Sequence, residues 1–144
     1  MTSLDRIKTL APRQHISLGV TASTNPSDFA LLLASAGCAF APDQTYSERD
    51  VNERLKAWLA GAGAMLATDH VELRRWLVDN RVLVRDGFGR AYTLGSPREE
   101  IASAMRELGG HDVAALVREA RELEAARRAQ RKARWQDGKQ ASRG

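Results

Sequence analysis

Residues 46–94 read YSERDVNERLKAWLAGAGAMLATDHVELRRWLVDNRVLVRDGFGRAYTL, and this stretch decides the fold because nearly every joint in it is marked. In Tyr46-Ser47-Glu48-Arg49-Asp50-Val51 the Ser47 hydroxyl can accept from the Asp50 amide while the Asp50 carboxylate reaches back toward Ser47. That is a variant of the capping box, and a helix is expected to start at Ser47, with Tyr46 and Val51 placed as a hydrophobic staple. Val51, Leu55, Trp58, Leu59 and Ala62 then recur at helical spacing, while Arg49, Glu53, Arg54 and Lys56 fall mostly on other faces. Gly61 and Gly63 suit the end of this helix. A second helix is expected from Thr68 or Asp69, where Asp69 and Glu72 stand at capping-box spacing, with Leu73, Trp76, Leu77 and Asn80 as its buried stripe. After Asn80 the period changes from helical to alternating in Arg81-Val82-Leu83-Val84-Arg85. Asp86-Gly87-Phe88-Gly89 and a return run, Arg90-Ala91-Tyr92-Thr93-Leu94, complete a hairpin.

Working outward, Pro26-Ser27-Asp28-Phe29 opens a short helix with Phe29, Leu32, Leu33 and Ala36 on one side and Gly37 near its end. Helix, helix, helix, hairpin is the order of a winged helix-turn-helix. Before it, Leu4, Ile7 and Leu10 could form one face of a brief helix ended by Pro12, His15 to Val20 reads as an edge strand or ordered arm, and Thr21 to Asn25 as loop. After it, Ser96-Pro97-Arg98-Glu99 supplies a cap, a proline at the first helical position and a glutamate three residues on, so a helix through Leu108 is expected, ended by Gly109-Gly110. Another helix runs from about Asp112 to Trp135, roughly 36 Å if continuous. The expected class is α+β and mainly helical. It comprises an N-terminal arm or short helix and edge strand over residues 1–25, a winged-helix domain over 26–95 (three helices plus a hairpin wing), a C-terminal helical extension over 96–135 and a flexible basic end over 136–144.

With 144 residues and 43% hydrophobic content, the chain can bury one core. No apolar run approaches the roughly 20 residues of a membrane span, and the first residues lack a secretory signal's apolar centre. Cys38, the one cysteine, reads as a small core hydrophobe in a reducing cytoplasm, which sets the expected location. Charge is informative only when split: residues 127–144 hold seven basic residues against Asp137, a net +6, so the other 126 residues sum to −2 of the total +4. Strong nonspecific affinity for nucleic acid scales with the phosphates neutralised. The basic part of this protein is its tail.

Candidate contact residues follow from the winged reading. In the second helix of residues 46–94, His70, Arg74 and Arg75 lie partly or wholly off the buried stripe and are the candidates for base or phosphate contact. Arg75, three residues after Glu72 and four before Asp79, could equally be a surface ion-pair residue. Arg85 and Arg90 flank the hairpin turn with Phe88 at its tip, placed either to hold backbone phosphates or to keep an edge hairpin from aggregating. Arg127, Arg128, Arg131, Lys132 and Arg134 form a basic helical face that would add sequence-independent affinity, or simply a solvated helical end. Val113, Leu116, Ala120 and Leu123 fit two heptads, short of a coiled coil, and suit docking on the domain or on a second copy. Trp135 among arginines is a plausible protein anchor.

No catalytic constellation is expected. His15, His70 and His111 are far apart and none has metal-ligand spacing, and Gly87-x-Gly89 lacks the strand-to-helix setting of a phosphate cradle. The expected function is therefore non-enzymatic, without cofactor or metal. It is binding of nucleic acid, duplex DNA first, in bacterial transcription control. The competing reading is a protein-interaction module with the C-terminal helices as its handle, and an Arg-rich tail could also bind RNA.

A family resemblance accompanies this reading. Tyr46-Ser47-Glu48, Val51-Asn52, Leu55, then Asp69-His70, Leu73-Arg74-Arg75, Leu77-Val78-Asp79, Leu83, Arg85, Gly89 and Tyr92 resemble the pattern of a bacterial domain-of-unknown-function family, serial number two thousand and eighty-seven, over roughly residues 29–94. The resemblance implies a small domain that occurs alone or fused to helix-turn-helix regulators, with no established activity. Upstream, Ile16-Ser17-Leu18-Gly19-Val20 stands where that pattern leads one to expect a basic, proline-containing stretch.

Overall fold

The structure, a computed structural model, describes residues 1–88 and 90–143, with side chains through residue 140. Among the described residues the chain is α+β and mainly helical. Its elements run α1 (Ser3–Leu10), α2 (Leu18–Thr24), α3 (Pro26–Gly37), β1 (Tyr46–Ser47), α4 (Glu48–Ala60), α5 (His70–Asp79), β2 (Leu83–Arg85), β3 (Ala91–Leu94), α6 (Glu99–Leu108) and α7 (Val113–Arg143). No helix among these residues is long and apolar enough to cross a membrane.

The centre of the molecule is α3, buried at every position from Asp28 to Gly37. A helix apolar on all sides must be covered on all sides, and α6, α2 and α5 all pack on it. Phe29 meets Trp76 of α5 edge to face at 5.2 Å, and Ser35 accepts from the buried Trp58 indole of α4 at 3.2 Å. The polar Asp28 is tolerated there because Arg6 of α1 grips both its oxygens, at 2.8 and 2.7 Å, and Asn25 donates to it at 2.9 Å. That fork raises the Arg6 guanidinium pKa above its ordinary value through the Asp28 hydrogen bonds. With Asp28 8% exposed and Arg6 29% exposed, Asp28→Ala should destabilise the protein by about 2 kcal/mol in urea unfolding. A loss under about 0.5 kcal/mol would show the fork to be energetically idle.

The sheet has the order β1-β3-β2, antiparallel throughout. The hairpin is as expected, with Leu83 opposite Leu94 and Arg85 opposite Tyr92. The third strand was not expected: Tyr46 pairs with Tyr92 and Ser47 with Ala91. The staple residue Tyr46 therefore also ties the start of α4 to the hairpin. Its hydroxyl accepts from the Ala41 amide at 2.8 Å and donates to Gln44 at 3.0 Å, closing the preceding loop.

Five expectations are corrected. Residues 15–20 form no edge strand, and 21–25 are not loop. Ile16 alone makes a bridge, to Leu66, and a helix follows at once, capped by Ser17 on the Val20 amide. Gly19, Val20 and three hydroxyl residues are poor helix formers, but Thr21 donates back to Ser17, and Ser23 and Thr24 to Val20, while buried Leu18 docks the helix. The α6 helix begins two residues later than its signature: Arg98 is the N-cap, without a side-chain cap bond. The last helix, expected to end near Trp135, continues to Arg143. Cys38 is exposed at the end of α3 rather than in the core. Gly89, part of the expected turn, lies outside the described residues.

Candidate nucleic-acid interface

Helix α5 is capped as its sequence indicates, with the Asp69 carboxylate accepting from the Glu72 amide at 2.8 Å. Leu73 and Leu77 are fully buried, which fixes the rotation of the helix and hence which side chains face out. Glu72 is engaged by the Thr68 hydroxyl at 2.8 Å and the Trp76 indole at 3.4 Å. It is thus not a partner for Arg75, whose guanidinium has no hydrogen bond or ion pair among the described residues. The ion-pair reading of Arg75 has no contact behind it, and the residue is exposed.

The reverse holds for Arg74. Its side chain is only 18% exposed, and it reaches across to α4, where Asn52 accepts at 2.5 Å and Glu48 pairs at 3.2 Å. Glu48 and Asn52 stand four apart on α4 and present two acceptors on one face. The availability of Arg74 to an outside phosphate is corrected accordingly: it is a brace between α4 and α5. His70 is half-buried at the first turn of α5.

Two continuous concavities lie between α5 and the hairpin. One, of about 310 Å³, is lined by Val71, Arg74, Arg75, Val78, Asp79, Arg85 and Tyr92. The other, of about 850 Å³, is bounded by Val78 and Arg81 on one side and by the hairpin from Leu83 to Phe88 on the other. Val78 and Arg85 belong to both. The hairpin tip is organised by the Asp86 carboxylate, which accepts from the amides of Phe88 at 3.1 Å and Arg90 at 2.9 Å. Phe88 is thereby held out at 87% exposure. Arg75, Arg81 and Arg85 are exposed on these linings, Arg90 is exposed on the hairpin but lines neither concavity, and none of their guanidinium groups has a partner among the described residues. Arg81 is not among the contact residues that the sequence indicates. Its position between a helix end and a strand start was the available signal.

The second basic region is the outer half of α7. The helix docks through Val113 and Val117, both buried in the core, and through Arg121, which donates to the carbonyls of Ala11 at 2.7 Å and Arg13 at 3.0 Å. Of the two expected docking places for Val113, the domain or a second copy, the chain's own core takes it. Leu116 and Leu123 remain on a shallow groove of about 290 Å³ shared with Lys8 and Pro12 of the N-terminal segment. From residue 125 to 140 every side chain is exposed. At about 100° per residue, Arg127, Arg128, Arg131, Lys132, Arg134 and Lys139 fall within an arc of about 160°, and Ala126, Ala129, Ala133 and Asp137 lie opposite. Glu124 binds Arg131 at 3.0 Å and Arg128 at 3.4 Å, and the Arg131 hydrogen bond foremost holds its carboxyl below the ordinary range. Trp135, 66% exposed, has the Lys139 ammonium 5.0 Å from its ring centroid.

The described residues contain no cluster of His, Cys, Asp and Glu able to hold a metal ion. They do form a compact helix-and-hairpin unit that runs from α3 to β3. A family model for uncharacterised proteins conserved in bacteria, DUF2087, matches residues 23–94, half of the chain, and the match spans this unit. The chain belongs to that family. No curated protein matches it, and no solved structure matches it.

Proposed function

We propose that this chain is a nucleic-acid-binding regulatory protein that engages duplex DNA through a winged helix-turn-helix. In this reading α3, α4 and α5 are the three helices, α5 is the helix offered to the major groove, and the β2–β3 hairpin is the wing. The pairing of β1 with β3 supports the comparison, because it ties the wing to the start of α4, while the Val82 amide on the Leu77 carbonyl joins the wing to the end of α5. The observation that carries the reading is electrostatic. Three exposed arginines without internal partners among the described residues, Arg75, Arg81 and Arg85, line two adjoining concavities between α5 and the hairpin, whereas the body outside the tail is net −2. Local concentration of positive charge on an otherwise acidic body directs an anion to one face.

The direct test is fluorescence anisotropy with a DNA duplex across a salt series. Arg75→Ala combined with Arg85→Ala should weaken binding at least tenfold, about 1.4 kcal/mol, with thermal stability unchanged. Arg74→Ala should instead lower stability, since it removes the α4–α5 brace, and leave the salt slope intact. Equal affinity in the Arg75/Arg85 variant and the parent would remove the surface from consideration. A second reading, a protein-interaction module, is favoured by the apolar groove beside Leu116 and Leu123 and by exposed Trp135. A stoichiometric protein partner retained at high salt would support it.

A further inference from the structure

The turn that ends α5 is built in an unusual way. The Val82 amide donates to the Leu77 carbonyl at 2.9 Å and the Arg81 amide to Val78 at 3.1 Å, the paired bonds of a Schellman motif. Such a motif places the residue after the C-cap in the left-handed region, and here that residue is Arg81, at φ +60°. Glycine is the usual occupant, because a Cβ in this conformation costs roughly 1–2 kcal/mol. No side-chain contact among the described residues compensates that cost. The Arg81 side chain is exposed, it has no hydrogen bond or ion pair among the described residues, and only its backbone serves the turn. Strain of this kind, retained where a cheaper residue would close the same turn, points to a use for the side chain.

The surroundings indicate which use. Arg81 stands on the wall of the 850 Å³ groove, with Arg85 on the same lining, Val78, Leu83, Val84 and Phe88 as its apolar part, and Asp86, whose carboxylate accepts from the Phe88 and Arg90 amides, as its one acidic residue. Two guanidinium groups on one open groove make a site for a phosphate diester, which a planar fork binds with paired hydrogen bonds. We infer that the groove between the end of α5 and the hairpin is a phosphate-binding site, and that Arg81, with Arg85, grips one phosphodiester of the bound strand. The inference rests on the nucleic-acid reading above and adds to it the seat of one phosphate and a residue held there against its backbone preference.

The opposition between stability and binding supplies the test. Arg81→Gly relieves the backbone and removes the guanidinium, Arg81→Asn is tolerated in the left-handed region and also removes the charge, and Arg81→Lys keeps a charge and the strain. With the full chain, Arg81→Gly should raise Tm by about 2–3 °C. Both Arg81→Gly and Arg81→Asn should weaken binding to a fluorescent duplex of mixed sequence about fivefold and flatten the slope of log affinity against log salt by about one, while Arg81→Lys keeps the slope. A mixed sequence suffices because phosphate contacts carry no sequence information. Unchanged affinity and slope in Arg81→Gly and Arg81→Asn would overturn the phosphate site while leaving the nucleic-acid reading in place. A fall in Tm for Arg81→Gly would overturn it too, by showing that the side chain anchors the fold. If the parent protein binds no duplex in low salt, the nucleic-acid reading itself fails, and the site with it.

Discussion

Replacing Gly95 with alanine is expected to destabilise the protein by about 3 kcal/mol and to lower its Tm by roughly 10 °C. A Cβ at this position would stand 2.4 Å from the Arg81 carbonyl oxygen and 2.7 Å from Cγ2 of Val84. A long side chain could swing away from such an intrusion, but a backbone oxygen cannot. The Gly95 amide donates to the Val82 carbonyl at 2.9 Å, so retreat of residue 95 breaks that bond. Retreat of residue 81 instead opens the turn on which α5 ends. Alanine at Gly87, where a Cβ would meet nothing within 4 Å, is the matched control and should change stability by less than about 0.5 kcal/mol. Circular dichroism melts of the two variants decide the matter: equal Tm values would mean that the close approach of β3 to the end of α5 is not a structural requirement. Because the same contact sets the position of Arg81, Gly95→Ala should also weaken duplex binding, through geometry rather than charge.

Where the sequence spoke through local chemistry, it was legible. Ser47 and Asp69 cap α4 and α5 on the amides expected of them, at 3.1 and 2.8 Å, because a cap needs only residues within one turn. The hairpin was legible for the same reason, since a change of period and an Asp-Gly turn are local signals. What was not legible depends on partners distant in the chain. Helix α2 has weak intrinsic propensity and exists because Leu18 is buried and α3 is there to receive it. Arg74 and Arg75 are adjacent and chemically alike, and only the packing of α5 on α4 determines that Arg74 meets Glu48 and Asn52 while Arg75 faces out. Arg81 is distinguished by a backbone angle, and the only trace of that angle in the sequence is its place between a helix end and a strand start. The basic tail was legible as charge but not as a helix reaching Arg143, since alanine and long charged residues favour helix without specifying where it stops.

Deleting residues 127–144 is expected to leave the melting temperature nearly unchanged and to weaken duplex binding at low salt by about two orders of magnitude. The two halves of this prediction have separate causes. Stability is spared because the last anchors of α7 lie earlier: Val113 and Val117 in the core, and Arg121 on the carbonyls of Ala11 and Arg13. Beyond residue 124 no described side chain is buried. Affinity suffers because the segment carries +6 and its loss leaves a body of −2. The cations share one side of the helix, so they can meet a phosphate backbone together, although a straight helix touches a curved duplex over only part of its length. Complete engagement of six cations would add about five to the salt slope, and engagement of half of them about three. The measured slope should therefore fall by about three to five on deletion, while the remaining slope reports the arginines around α5 and the hairpin. A deletion that leaves the slope untouched would mean that the cationic side of α7 meets something other than nucleic acid. The exposed Trp135 at its centre and the apolar groove at Leu116 and Leu123 would then mark where a protein partner sits.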